Sequence, residues 1–350
     1  MKIRKKLLFL GELPPKIVHG ISLSNQRILS VLSEYFHVIS VEDNSSFNSK
    51  IQTVLSFLSS LSKLFFISLE NINTYYINTP LSYFGLLKIY LTVRLVRMLN
   101  SDVKVISHLH RGDLLDFIRI PNNKNLFEKF SDEVNVFIVL SEVSANELCA
   151  NGLADRSKIK VLFNTVDVLL QSGGFRGGTT NNYYCLCNYI PTKRIDALVK
   201  ISNDIGSLQF IFNGASSSPS YLSLLKKLNI KGTCEFKGSV FGLEKEKFLR
   251  SSRALVLPSL NEGMPLVILE SLAQGTPVIC FDVGYIKNYL GDDYPGLVKV
   301  LTDDAFKEKI LWLDRLSSDD YSDFRAQSYN IFWNQYSAQI VNETVLKVFN

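Results

Sequence analysis

The stretch Asn261-Glu-Gly-Met-Pro-Leu-Val-Ile-Leu-Glu-Ser-Leu-Ala-Gln-Gly-Thr-Pro-Val-Ile279 links one strand to the next through a helix, and the fold class follows from it. Before it, Ala254-Leu-Val-Leu-Pro-Ser259 is a short apolar run of the kind found in strands covered on both faces, ending in the turn Leu260 to Met264. Pro265 suits the first position of a helix, because the N–H it lacks is one that the first turn leaves unbonded. The helix is predicted to run from Pro265 to Gln274 and to close on Gly275 in the left-handed conformation, after which Thr276-Pro-Val-Ile279 enters a second strand. Strand, helix and strand in this order form the unit of a parallel α/β sheet.

The same residues suggest chemistry. Glu262 and Gly263 fall at the helix N-terminus, where unbonded N–H groups and a partial positive charge make a seat for phosphate, and Gly263 allows close approach to the backbone. The helix is apolar nearly all round, so Glu270 is predicted to be buried. No basic residue lies between Arg253 and Lys287, and a buried carboxylate without partners costs several kcal/mol. Adjacent hydroxyls of a ribose would satisfy it; a basic residue brought from elsewhere in the fold would do so too.

Working outward, short apolar runs alternate with helical patterns. Strands are predicted at Lys6–Leu10, Phe36–Val41, Thr74–Asn78, Val103–Leu109, Val134–Leu140 and Ile159–Phe163. The Gly-rich polar stretch Gln171–Asn182 interrupts the pattern and reads as a linker. The pattern then restarts with strands at Tyr183–Cys187, Gln209–Asn213, Thr233–Phe236, Ala254–Leu257 and Pro277–Cys280, with helices around Arg194–Asn203 and Pro219–Leu228. From Asp303 onward the chain reads as helical, with one last helix over Phe332–Phe349. A length of 350 residues fits this division into an N-terminal domain 1–165, a second α/β domain 166–325 and a closing helical segment 326–350.

Composition sets the outer limits. A hydrophobic share of 46% with 20% charged residues supports packed cores and excludes a disordered chain. The net charge of +5 comes entirely from residues 1–165, which hold 19 Lys and Arg against 14 Asp and Glu. Lys88, Arg94 and Arg97 on the segment Leu86–Leu99 contribute to it, a pattern suited to a phosphorylated ligand or an anionic membrane surface rather than to nucleic acid. Met1–Leu10 imitates a signal peptide, but Gly11-Glu12 ends its apolar core with no small-residue cleavage site, so it reads as the first strand of a cytoplasmic protein. The 5 cysteines lack zinc spacing and read as reduced core residues; neither a Gly-x-Gly-x-x-Gly turn nor a Walker loop nor a metal-ligand cluster is present, so no metal or bound cofactor is expected.

The stretch from Asn261 resembles the Glu-x7-Glu signature of the retaining GT-B glycosyltransferases, the group 1 enzymes of glycosyltransferase family 4. Asn164-Thr-Val-Asp167 resembles that family's domain crossover, and Cys187-Asn-Tyr-Ile-Pro-Thr-Lys193-Arg194 its phosphate loop. Ile211-Phe-Asn-Gly214, Phe236-Lys-Gly238-Ser-Val240, Gly242-Leu-Glu-Lys245 and Val283-Gly284 extend the likeness, which is close from Val134 to Leu290 and looser before. The resemblance implies two facing Rossmann-like domains with a C-terminal helix crossing back to the first, and transfer of a hexose-type sugar with retention from a UDP- or GDP-linked donor to a surface polysaccharide or lipid-linked oligosaccharide; the basic segment Leu86–Leu99 reads either as a peripheral contact with the cytosolic membrane face or as an ordinary core helix.

Residue by residue, the resemblance gives Glu262 the donor sugar hydroxyls, Glu270 the ribose, and the backbone of Gly263, Met264, Pro265 and Leu266 the sugar and diphosphate. Lys193 takes the diphosphate. Asn188 stands where the family has Arg, and Arg194 where it has Gly, so Arg194 is a candidate for the missing charge. Val240 is assigned to the donor site and Gly20, ahead of a helix over Ser24–Leu32, to the N-terminal glycine loop. His110, in Ser107-His-Leu-His110-Arg-Gly112-Asp113, follows a strand where such sheets place ligands and is assigned to the reacting centre, whereas His108 is assigned to the core. The architecture also serves sugar-nucleotide 2-epimerases, and the loss of Arg at Asn188 would suit a homologue that binds donor without turnover.

Overall fold

A computed structural model describes residues 4–43, 50–168, 180–216 and 218–349. The chain divides into two compact units, Met1–Asn164 with Gln339–Asn350, and Thr165–Ala338. The expected linker lies outside the described residues as far as residue 179.

The first unit is built on strands β1 (Lys6–Gly11), β2 (His37–Glu42), β3 (Thr74–Asn78), β4 (Lys104–Leu109), β5 (Val136–Val139) and β6 (Ile159–Val161). They form one parallel sheet in the order β2-β1-β3-β4-β5-β6. Alternate side chains feed opposite faces. Leu8, Leu10, Tyr75, Ile77, Val105 and Val139 join one core, which the helix Tyr83–Leu99 covers with Leu86, Ile89, Val93 and Val96. Leu7, Phe9, Tyr76, Ile106 and Ile138 join the other. Burial on both faces is why these strands read as unbroken apolar runs.

That second face is closed partly by the C-terminal helix Ala338–Phe349, through Val341, Val345, Val348 and Phe349. Arg27 Nη2 also donates to Asn342 Oδ1 at 2.5 Å. The expected single helix over Phe332–Phe349 is in fact a π-turn at Phe332–Tyr336 followed by this helix, because Ser337 takes extended angles (φ −59°, ψ 150°) between them.

The second unit repeats the plan with β7 (Asn182–Leu186), β8 (Gln209–Asn213), β9 (Cys234–Lys237), β10 (Ala254–Leu257), β11 (Val278–Phe281) and β12 (Leu297–Val298), parallel in the order β12-β11-β10-β7-β8-β9. In each sheet the first strand has neighbours added on both sides, so a topological switch point lies between β1 and β3 and between β7 and β10. Open α/β sheets bind ligands at the carboxyl ends of such strands.

Candidate functional site

In the second unit, the loops after β7 and β10 both leave the switch point at its carboxyl edge. The β7 loop is an extended stretch pinned to its neighbour: Cys187 N donates to Asn213 O at 3.1 Å and Tyr189 N to Ala215 O at 2.8 Å. The buried Tyr189 hydroxyl reaches both Phe212 O (2.7 Å) and Lys237 O (2.6 Å). The loop ends in the single turn Pro191–Lys193, which holds Lys193 so that its Nζ lies 2.6 Å from Glu262 Oε1.

Glu262 is 8% exposed and Lys193 26%, so this pair lies at a half-covered edge. Gly284 makes room for it: at φ +56° a Cβ there would meet Glu262 O at 1.8 Å. Beyond Glu262, the helix Leu266–Ala273 begins one residue later than expected, with Pro265 as its cap residue and no side chain capping it. Met264 is buried, and Gly263, Pro265 and Leu266 are half-buried, around that N-terminus.

Glu270 has a partner. Lys245, from the helix Gly242–Ser251, places Nζ 2.5 Å from its Oε1. Of the two ways of satisfying Glu270 that the sequence left open, the structure shows the basic residue brought from elsewhere: the cation comes from upstream of the interval that holds none. Desolvation nevertheless dominates over Lys245 and raises the Glu270 carboxyl above its usual range.

Arg194 adopts left-handed angles (φ +52°), which explains why a Gly suits this position. Its side chain turns to Asp303, with Nη2 at 2.6 Å from Oδ1, and lies 5.8 Å from the Phe281 ring centre; Nη1 is buried with no partner among the described residues. Asn188 is exposed, and Val240 is buried in the loop after β9, where Asn213 Nδ2 holds the neighbouring Gly238 O at 2.8 Å.

In the first unit, His110 follows β4 and is 9% exposed. Its Nε2 is 3.0 Å from Asn78 Nδ2, at the end of β3, and its ring lies 3.8 Å, centre to centre, from that of His108. Burial, with a small contribution from His19, pushes the His110 imidazole down to about 3. His108 is 1% exposed, and its Nδ1 meets the Tyr76 hydroxyl at 2.8 Å. Gly20 is the first residue of the helix Gly20–Ser33 rather than part of a loop, because His19 caps that helix: its Nδ1 accepts from Ile21 N at 3.2 Å while Ser22 Oγ accepts from His19 N at 3.0 Å.

Lys245 and Asn78 are site residues that sequence reasoning missed. Lys245 stood in a motif already noted, whereas an asparagine at a strand end carries no pattern of its own.

Two parallel α/β units of this topology, with a C-terminal helix returning to the first, define the GT-B class of fold. Residues 181–330, within the second unit, match the model of the family described as glycosyl transferases group 1. The putative teichuronic acid biosynthesis glycosyltransferase TuaC of Bacillus subtilis is 34% identical over 97 residues, covering 26% of this chain and 25% of the relative. An uncharacterized glycosyltransferase of Methanocaldococcus jannaschii is 26% identical over 208 residues, covering 59% of this chain and 57% of the relative. The chain thus spans about a quarter and somewhat over half of these relatives' lengths. The crystal structure of Anabaena HepE in complex with UDP-glucose superposes with a TM-score of 0.73 at 14% identity, covering 98% of this chain and 99% of that one.

Proposed function

We propose that this chain is a retaining glycosyltransferase that moves a hexose-type sugar from a UDP- or GDP-linked donor to a growing surface polysaccharide or lipid-linked oligosaccharide. The observation that carries this reading is the Lys193–Glu262 pair at the β7/β10 switch point, beside a helix N-terminus that no side chain caps. A bound diphosphate would replace the carboxylate as partner of Lys193 and free Glu262 to accept from sugar hydroxyls. Lys193 and the helix N-terminus would then offset charge growing on the departing phosphate. In a retaining route without an enzymic nucleophile, the bond from the anomeric carbon to the phosphate breaks, and a phosphate oxygen takes the acceptor hydroxyl's proton as the new bond forms on the same face. The name of TuaC supports a cell-surface glycan as product, and the UDP-glucose complex of HepE supports a UDP-linked donor.

Calorimetric titration with UDP- and GDP-sugars tests the donor assignment, and Glu262→Ala should abolish transfer while the chain still folds. Epimer formation from donor alone would favour the 2-epimerase instead. Tight donor binding by wild type without transfer or hydrolysis would favour a non-catalytic homologue.

We place the protein at the cytosolic face of a membrane, on the strength of an apolar stripe. Val54, Leu55, Leu58, Phe65 and Phe66 of the helix Lys50–Ser68 are exposed, and Leu69 continues their line. The basic residues of the neighbouring helix carry less of this argument than their sequence suggested, since Lys88 pairs with Asp43, and Arg94 and Arg97 with Glu133. Among the described residues no helix is long and apolar enough to cross a membrane. Sedimentation with anionic vesicles should carry the protein down, and Phe65→Ser with Phe66→Ser should release it.

A further inference from the structure

A chain of hydrogen bonds at the carboxyl edge of the first sheet has its polarity set from one end. The carbonyl oxygen of Glu12 can only accept, so Asn25 must present its amide nitrogen there, at 3.0 Å. The same nitrogen donates to Asn78 Oδ1 at 2.7 Å, and Asn78 Nδ2 returns a bond to Asn25 Oδ1 at 3.0 Å. With both amides oriented in this way, the group that Asn78 turns toward His110 Nε2, 3.0 Å away, is an N–H. A ring nitrogen that accepts is bare, and a neutral imidazole then carries its proton on Nδ1. That Nδ1 is buried and meets no partner among the described residues.

The packing leaves Asn78 little room to turn. A Cβ on Gly11 would lie 2.5 Å from Asn78 Oδ1, so the glycine that ends β1 is what allows the asparagine to sit there. Asn25 is fully buried on the first turns of its helix.

We propose that Asn78, oriented by Asn25 and the Glu12 backbone, is a positioning residue that locks His110 as the Nδ1–H tautomer, making the histidine a fixed hydrogen-bond donor to a substrate oxygen and not a proton acceptor. The substrate part rests on the sugar-transfer reading above; the tautomer part does not. A buried N–H without a partner weakens the folded state, and a hydroxyl or phosphate oxygen reaching it would recover that loss on binding. Retention with the leaving phosphate as base leaves no proton for this histidine to remove, which agrees with a donor role.

Nitrogen-15 spectra of the full chain labelled only at histidine decide the tautomer. The chain has 4 histidines, and His110→Gln assigns the signal. His110 should show a protonated Nδ1 and a bare Nε2. In Asn78→Asp the carboxylate can only accept, so the proton should move to Nε2, and turnover should fall about a hundredfold with the donor KM changed far less. A protonated Nε2 with a bare Nδ1 in the wild type overturns the proposal, even if the variant fails to fold. An unchanged tautomer in folded Asn78→Asp overturns the role of Asn78, and a reversed tautomer with unchanged turnover overturns the donor role. If the wild type transfers no sugar at all, the transfer reading fails and the spectra still decide the tautomer.

Discussion

In the second unit the residues at the carboxyl edge are ions in pairs, Lys193 with Glu262, Lys245 with Glu270 and Arg194 with Asp303. At the switch point of the first unit, by contrast, a chain of neutral amides and an imidazole runs from Glu12 O through Asn25 and Asn78 to His110, with the ion pairs Arg111–Asp113 and Lys88–Asp43 outside it. Both edges lie at a switch point of a parallel sheet, although the strand orders differ, β2-β1-β3-β4-β5-β6 against β12-β11-β10-β7-β8-β9, so a switch point alone does not explain the contrast. An ion pair at a half-covered edge is exchangeable, because an anionic ligand can take the place of the carboxylate at little electrostatic cost. A neutral chain anchored on a backbone carbonyl is not exchangeable; it presents one fixed donor whatever arrives.

The largest effect should come from breaking the pair whose carboxylate is the least exposed, Lys193 with Glu262. Lys193→Met strands Glu262 at 8% exposure, and loss of a partner from such a pair costs about 2–3 kcal/mol once the partial exposure of Lys193 is allowed for. Transfer should fall by about a hundredfold to a thousandfold. Adding Glu262→Gln should recover most of the melting temperature and none of the transfer. Recovery of both would reduce the pair to a structural feature and remove the contrast between the units.

Lys245 and Glu270 should behave differently, because burial already raises the Glu270 carboxyl. A carboxyl raised in the folded state contributes stability at low pH and loses it as pH rises, so at neutral pH the ionised group is a cost that Lys245 offsets. Lys245→Met and Glu270→Gln should each destabilise by about 2 kcal/mol, and the double variant should return to within about 1 kcal/mol of wild type. Donor affinity in Glu270→Gln should fall about tenfold if the carboxylate holds hydroxyls of the donor. Denaturant titration and calorimetry on the four proteins separate the two roles.

The fold was largely legible because parallel strands buried on both faces are unbroken apolar runs, as Leu7 to Leu10 and Ala254 to Leu257 show. β12 was missed because a strand of 2 residues has no period to detect, and the break at Ser337 because nothing in Phe332–Phe349 is a helix breaker. The charged edge was half legible. Glu262 and Glu270 stand out against an apolar helix, but the partner of Glu270 lies 25 residues upstream on another helix, a distance that a local search cannot cover. The neutral edge was legible only at His110. Asn25 and Asn78 lie on different elements, and only the pairing of β1 with β3 brings them together.

That neutral edge should reveal itself through pH. The His110 imidazole is pushed down to about 3 by burial, so the folded protein keeps it neutral while the unfolded chain charges it near the ordinary value. Its contribution to stability is complete above about pH 6.5 and is lost as pH falls toward 3, amounting to about 2 kcal/mol at pH 5. The melting temperature should therefore fall between pH 7 and pH 5, and fall less in His110→Gln. Equal slopes in both proteins would mean that His110 charges in the folded state, which the neutral chain forbids.

The smallest effect is expected at Arg194, where the two kinds of edge are hardest to tell apart. Its left-handed angles cost a non-glycine residue about 1 kcal/mol, and its partner Asp303 is 46% exposed, so the pair returns only about 0.2–1 kcal/mol. The two effects nearly cancel, and Arg194→Gly should leave stability within about 1 kcal/mol of wild type. Donor affinity separates the remaining possibilities. A guanidinium held by Asp303 and lying near Phe281 contributes little to a diphosphate, so the dissociation constant should change by less than about threefold. A tenfold loss would mean that the pair opens on binding as the Lys193 pair is proposed to do, and that the charge absent at Asn188 is supplied from Arg194 after all.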